Sequence, residues 1–265
     1  MSKVILITGA SSGIGKSIGE YLTLKGMKVY GTSRDSSRYL HSKIKLIDLD
    51  VKSKSSIELC INNILKVEDK IDVLINNAGV GITGPLEEIP QDQIIDNFKT
   101  NLYGPINLIK EILPIMRNKN SGLIINVTSL AAYVGTPFRS IYSASKAALD
   151  LVSETLNMET KNFNINIVTI APGEFATNIA SRRFHSELNK KSPYYYKYSK
   201  ALDSMNTHVN KGADPIKIAK KVFKVVNAKN PKKKYIIGSF LERIAPYLKL
   251  ILPQKIFENI VMKSY

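Results

Sequence analysis

The 265-residue chain has no tryptophan, three histidines and a single cysteine, Cys60. One cysteine excludes an intramolecular disulfide and fits a reducing compartment. Cys60 lies in an apolar, helix-like stretch and reads as a buried, inert thiol rather than a nucleophile. His41, His185 and His208 show no ligand spacing, so no metal is expected. No run approaches the ~20 apolar residues that a membrane span needs. The first apolar run, residues 4–8, is short, β-branched and passes straight into glycine; it reads as a strand, not as the core of a targeting peptide. The expected location is cytoplasmic. Internal repeats, low-complexity tracts and linkers are also missing, and 44% hydrophobic residues suffice for one large core.

Acidic residues are scarce in one region only. Residues 177–265 hold 19 Lys/Arg against 5 Asp/Glu, whereas residues 1–176 hold 19 against 17. This basic third is either a solvated lysine-rich face or an attraction to an anionic lipid surface or acyl-phosphate. Nothing resembles a nucleic-acid-binding module, and no nucleic acid is expected as a partner.

What is present alternates. Strand-like runs at 4–8, 28–33, 44–49, 73–76, 123–128, 165–170 and 235–237 are separated by helical patterns near 14–26, 53–67, 91–118, 142–162 and 214–227. Short apolar strands alternating with longer helices predict an α/β fold: a single-domain, doubly wound parallel sheet of about seven strands with helices on both faces. The stretch 177–213, rich in Ser, Lys, Asn and Tyr, shows no clear pattern and reads as a lid.

Thr8-Gly9-Ala10-Ser11-Ser12-Gly13-Ile14-Gly15 joins the first strand to a helix. Glycines there let backbone approach a pyrophosphate, and the helix N-terminus supplies N–H groups and a favourable dipole. Tyr142 and Lys146, four residues apart, share a helix face, and Ser129 lies upstream at a strand end. A phenol ionises near pH ~10 and is a poor base at neutral pH. An ammonium ~4 Å away favours the ionised form by about 4 kcal/mol at an effective dielectric near ~20. A phenol so placed can give or take a proton, and beside a dinucleotide turn it implies hydride transfer to or from a carbonyl.

In joint occurrence these motifs resemble the short-chain dehydrogenase/reductase family. Thr8, Gly9, Gly13 and Gly15 match its glycine motif, Asn76-Asn77-Ala78-Gly79 its second motif, and Asn101, Ser129, Tyr142 and Lys146 its catalytic set; Pro172-Gly173 and Thr177 follow in order. The resemblance implies a Rossmann-type domain over 1–238 that binds a nicotinamide dinucleotide. Tyr142 would be the acid/base, Ser129 would bind the substrate oxygen, Lys146 would also hold the nicotinamide ribose, and Asn101 would hold a water leading from Lys146 to solvent. Ser11, Ser12 and Ile14 join the glycines around the phosphates. Asp50 and Val51 would meet the adenine, although Asp50 could instead cap the helix that starts at Ser53, for which Ser53 is the better cap. Asn77, Ala78, Gly79, Pro172, Gly173, Phe175 and Thr177 complete the cofactor wall, with Phe175 standing where the family usually has an aliphatic residue.

Ser33 and Arg34 end the second strand. An NAD site needs a carboxylate there for the ribose 2′-hydroxyl, whereas a guanidinium grips the 2′-phosphate of NADP with two hydrogen bonds. NADP is therefore expected; Asp35, able to pair with Arg34, keeps NAD open.

Residues 77–81 and 101–104 are similar to the steroid- and retinol-dehydrogenase-like branch. That likeness implies a lipophilic secondary alcohol or ketone and a place in lipid metabolism. The pocket is expected from Leu130, Tyr133, Val134 and Phe138, the segment after Thr177, and the tail. Tyr194, Tyr195 and Tyr196 either cap the substrate or stand in solvent. In the tail, 239–265, Phe240, Leu241, Ile244, Leu248, Ile251 and Leu252, then Ile256, Phe257, Ile260 and Val261, recur at helical spacing, with Pro246 and Pro253 starting new turns. This amphipathic tail packs over the pocket, across a subunit interface or, with the basic third, peripherally against a membrane surface. Family members form homodimers or homotetramers, so a homo-oligomer is expected. The competing class is a non-catalytic dinucleotide-binding sensor or scaffold on the same fold; the presence of both Tyr142 and Lys146 argues against it.

Overall fold

A computed structural model of the protein describes residues 2–176, 182–210 and 212–263. Strand β1 (Val4–Ile7) is buried at every position, which is why its side chains are continuously apolar instead of alternating. It pairs in parallel with β2 (Lys28–Ser33) on one side and β4 (Val73–Asn76) on the other. With β3 (Lys45–Asp48), β6 (Gly122–Val127), β7 (Ile165–Pro172) and β9 (Lys234–Ile237), they form a seven-stranded sheet in the order β3-β2-β1-β4-β6-β7-β9. A separate parallel pair joins β5 (Ile82–Thr83) to β8 (Phe184–His185).

The helices, in chain order, are α1 (Gly13–Leu24), α2 (Lys54–Glu68), α3 (Gln91–Phe98), α4 (Gly104–Asn118), α5 (Ser140–Glu159), α6 (Tyr195–Asn210), α7 (Ile216–Asn227), α8 (Phe240–Ile251) and α9 (Gln254–Met262). Ile18 and Leu22 of α1 meet Ile218, Val222 and Val225 of α7 on one face of the sheet. Ile57, Ile61 and Ile64 of α2 meet Leu108, Ile109 and Ile112 of α4 on the other. The doubly wound parallel sheet is therefore present. Strand order reverses between β1 and β4, so the loops leaving them part and open a crevice at the carboxyl ends of the strands.

Three expectations change. The helical pattern at 91–118 is broken at Lys99–Tyr103 by a wider, π-type turn that carries Asn101. The 177–213 stretch contains a four-turn helix, α6, because Tyr198, Ala201, Leu202 and Met205 recur at i, i+3, i+4 and i+7 and are all buried. Pro246 starts no turn: a capping box between Ser239 and Glu242 starts α8 upstream, and Pro246 lies within it, removing only the one bond its missing N–H would make. Pro253 does precede α9. Among the described residues no helix is long and apolar enough to cross a membrane.

Candidate active site

The turn after β1 is shaped by Gly9 and Gly13, at φ +64° and +54°. These are left-handed conformations that a side chain resists. A Cβ on Gly9 would also lie 3.0 Å from Ala78 Cα. Thr8 Oγ1 accepts from the Asn77 and Ala78 N–H groups at 3.0 and 2.9 Å, and Asn77 Nδ2 donates to Thr8 O at 2.9 Å and Gly9 O at 3.2 Å. The loops after β1 and β4 are thereby locked together. Gly15 stands behind this junction, where a Cβ would come 2.4 Å from Asn77 Nδ2.

A groove of about 700 Å³ runs over the turn. Ser11, Ser12, Ile14, Asp50, Val51, Ala78 and Gly79 line it. Ser33 and Arg34 stand at one end. Asp50 does not cap α2: Ser53 Oγ accepts from Ser56 N at 3.3 Å, while Asp50 Oδ1 takes the Lys52 N–H at 2.9 Å. Asp35 does not pair with Arg34. Its carboxylate takes Arg38 Nε at 2.7 Å, and the Ser37 hydroxyl, followed by Arg38, holds its pKa below the usual carboxylate value. Among the described residues no carboxylate pairs with Arg34. A turn stripped of Cβ atoms and an open groove beside it fit a dinucleotide.

Tyr142 and Lys146 lie on one face of α5, both buried. Lys146 Nζ donates to Val127 O at 3.0 Å. Burial pulls the Lys146 pKa down, opposed by the Tyr142 phenol beside it. Asn101, with no exposed surface, donates from Nδ2 to Val80 O and accepts at Oδ1 from Val80 N, each at 2.9 Å. Gly79 separates the two: a Cβ there would lie 3.2 Å from Asn101 Oδ1 and 3.3 Å from Lys146 Nζ. Ser129, just past β6, accepts from Ala131 N at 3.2 Å, which leaves its own proton for another acceptor. The structure thus brings Asn101, Ser129, Tyr142 and Lys146 together where the crevice opens.

A second cavity, about 430 Å³, shares Ile14, Asn77 and Gly79 with the groove. Ser129, Tyr142 and Lys146 line it together with Leu130, Val134 and Met205. Pro172, Gly173 and Phe175 also line it, and Phe175 is almost wholly buried in the core. Thr177 lies outside the described residues. Leu241, Ala245 and Leu248 of α8 and Phe257, Ile260 and Val261 of α9 line it as well. Glu242 ties α8 to the loop after β7, its Oε1 accepting from Glu174 N at 2.6 Å and its Oε2 from Ser239 N at 2.7 Å. Gly173 leaves room for that carboxylate, since a Cβ would meet Oε1 at 2.1 Å.

Two residues expected in the cavity point elsewhere. The Tyr133 hydroxyl donates to buried Asp150, and burial, then Asp150, pushes its pKa up. Phe138 has φ +61°, a conformation costing a bulky residue about 1–3 kcal/mol. Its carbonyl accepts from Gly84 N at 3.0 Å, and its ring lies 5.2 Å from that of Tyr198. Tyr194, Tyr195 and Tyr196 do not line the cavity either, and Tyr196 is 85% exposed.

The family model for short chain dehydrogenases matches residues 3–188. The chain belongs to the short-chain dehydrogenase/reductase family. It is accordingly an oxidoreductase dependent on a nicotinamide dinucleotide. The 3-ketodihydrosphingosine reductase of Bacteroides thetaiotaomicron is 34% identical over 257 residues, covering 97% of this chain and 95% of that protein. Retinol dehydrogenase 8 of Bos taurus is 32% identical over 249 residues, covering 86% of this chain and 79% of the relative. A short-chain dehydrogenase from Streptomyces avermitilis superposes with a TM-score of 0.84 at 27% identity, covering 100% of both chains.

In this dehydrogenase several residues near the site carry no motif. Arg182 Nη1 donates to Ser12 Oγ at 3.0 Å across the groove. Tyr39 also lines it, and a hydrogen bond with Ser11, then Arg182, pulls its pKa down. Ser145, wholly buried, accepts from Asn101 Nδ2 at 3.2 Å and donates to Tyr142 O at 2.9 Å. Asn126 joins Asn76 on β4 to Ser153 on α5, each at 2.8 Å, fixing the helix that carries Tyr142 against the sheet. Among the described residues no cluster of His, Cys, Asp or Glu could hold a metal. Cys60 is buried, which pushes its thiol pKa up to about 12.

Proposed function

We propose that the protein is an NADP-linked oxidoreductase that interconverts a secondary alcohol and a ketone on a lipophilic molecule. The observation that carries this reading is the position of Ser129 and Tyr142 in a largely apolar cavity that adjoins the dinucleotide groove. Bound nicotinamide supplies or accepts the hydride. Ser129 donates to the substrate oxygen, orienting it and stabilising the negative charge that develops there. Tyr142 gives that oxygen its proton in reduction and takes one back in oxidation. Lys146, with one N–H on Val127 and its charge beside Tyr142, would hold the nicotinamide ribose with its other two N–H groups. Asn101 orders a water between Lys146 and solvent. Gly9, Ser11, Ser12 and Gly13 would cradle the pyrophosphate, Asp50 and Val51 would receive the adenine, and Pro172, Gly173 and Phe175 would flank the nicotinamide. Commitment of Asp35 to Arg38 favours NADP over NAD, because Arg34 keeps its guanidinium for a 2′-phosphate.

The apolar lining from α8 and α9 supports a lipophilic substrate, and the named substrates of both curated relatives, 3-ketodihydrosphingosine and retinol, point the same way. The experiment is NADPH consumption over a panel of steroid, retinal, ketoacyl, sugar and small aromatic carbonyls, with Tyr142→Phe as the blank. Tyr142-dependent turnover on one apolar class is expected; turnover confined to sugars, or surviving in Tyr142→Phe, overturns the reading.

We further propose that the exposed face of the tail contacts an anionic membrane surface peripherally. Leu250 and Ile251 on α8 are 83% and 77% exposed in the strongly basic third of the chain. Replacing both by Asp is expected to abolish co-sedimentation with anionic vesicles. Absence of binding by the unaltered protein removes the membrane proposal.

A further inference from the structure

We infer that the cavity contains an anion subsite, formed by Arg139, that selects substrates carrying an acidic oxygen group a few bonds from the reacting carbonyl. The inference rests on the ketone-reductase reading and adds the polar end of the substrate to it.

Most charged groups lining the cavity are already engaged. Lys146 donates to Val127, Arg183 donates to Asn206 Oδ1 at 2.5 Å, and both oxygens of Glu242 hold backbone N–H groups. Arg139 differs. Its guanidinium carbon sits 4.9 Å from the centroid of the Tyr142 ring, and among the described residues its side chain makes no ion pair or hydrogen bond. An aromatic face attracts the cation's charge but satisfies none of its five N–H donors. In a mostly apolar cavity this planar fork is a receptor for a carboxylate, phosphate or sulfonate, held by two parallel hydrogen bonds.

The placement of Arg139 is imposed by the fold. Phe138, in its left-handed conformation, is pinned through its carbonyl to Gly84 and through its ring to Tyr198. It turns the chain so that Phe138 joins the tyrosine cluster while Arg139 lies over Tyr142. Strain of this kind is kept where the surroundings over-determine it, and here it aims a cation at the reacting group. Because Tyr142 meets the substrate oxygen, an anion on Arg139 must be close to the carbonyl, as in a β-keto acid. The apolar remainder then extends toward Leu248 and Phe257.

The test compares three matched long-chain ketones: a β-keto carboxylate, its methyl ester and the corresponding β-keto phosphonate. The unaltered protein is expected to prefer an acid over the ester by on the order of 10- to 100-fold in kcat/KM. Arg139→Gln should bring that ratio to within about threefold of unity, and Arg139→Lys should retain part of it. The carboxylate and phosphonate arms distinguish the oxyanion. No acid preference in the unaltered protein, or acid and ester falling equally in Arg139→Gln, overturns the subsite. If no ketone is consumed, the reductase substrate reading fails, and calorimetric binding to the NADP-loaded protein decides the subsite separately. A long-chain carboxylate binding tighter than its methyl ester, with the difference lost in Arg139→Gln, upholds it; equal affinities overturn it.

Discussion

The groove and the cavity meet at Asn77 and Gly79 but are built from different material. The phosphate end of the groove is shaped by backbone: turns at Gly9 and Gly13, braced by one threonine hydroxyl that holds the N–H groups of Asn77 and Ala78. The cavity is side chains, drawn from the loop after β6, from α6 and from both tail helices. A backbone surface fails when a single Cβ is added, whereas a side-chain surface changes shape and remains a surface. The phosphate turn therefore tolerates few substitutions, whereas the cavity can change shape on the same frame.

That contrast can be broken most severely where the two spaces join. Lys146→Met should lower kcat at neutral pH by about 10²–10⁴-fold, because it removes the cation beside Tyr142; single-turnover rates within tenfold of the unaltered enzyme would contradict that role. Next comes the groove. Arg34→Gln should raise the KM for NADPH by about 10- to 100-fold and leave NADH within about threefold. Equal effects on both cofactors would place the 2′-phosphate elsewhere. In the cavity, Leu248→Ala should raise KM for long-chain ketones by about 3- to 10-fold without changing the KM for NADPH, as expected for lost apolar area. Joint changes in both would mean that α8 shapes the groove as well.

The smallest effect is a pH dependence. Burial lowers the Lys146 pKa in the folded protein, so between the folded and unfolded values the unfolded chain binds more protons, and stability rises with pH. Lys146→Met lacks this term. Its thermal-stability advantage over the unaltered protein should be largest near neutrality and shrink toward pH ~10, read as the difference in Tm. A constant difference would show that Lys146 keeps its ordinary affinity for protons.

The sequence made the groove readable because its constraints are contiguous. A glycine run after an apolar strand leaves few conformations open, and the continuous apolarity of β1 and β4 announces a sheet covered on both faces. The cavity was only partly readable. Whether a loop residue faces inward depends on contacts distant in the chain: Tyr133 is drawn away by Asp150, and Phe138 by one backbone dihedral angle. Helix α6 hid behind its Lys, Ser and Asn face, although Tyr198, Ala201, Leu202 and Met205 keep helical spacing. Arg182 reaches Ser12 from a segment that no local pattern connects to the phosphate turn.

Glu242 gives the tail a property beyond roofing. The same carboxylate starts α8 and clasps the backbone at Glu174, two residues past the end of β7. The tail is therefore not an interchangeable module. A terminal segment borrowed from another enzyme would seat on this body only if it offered an acid at the third position of its first helix. The body, in turn, must keep position 173 without a side chain to let that acid in. Recombination between relatives at the β9–α8 junction is constrained by this pair of positions, 69 residues apart in the chain.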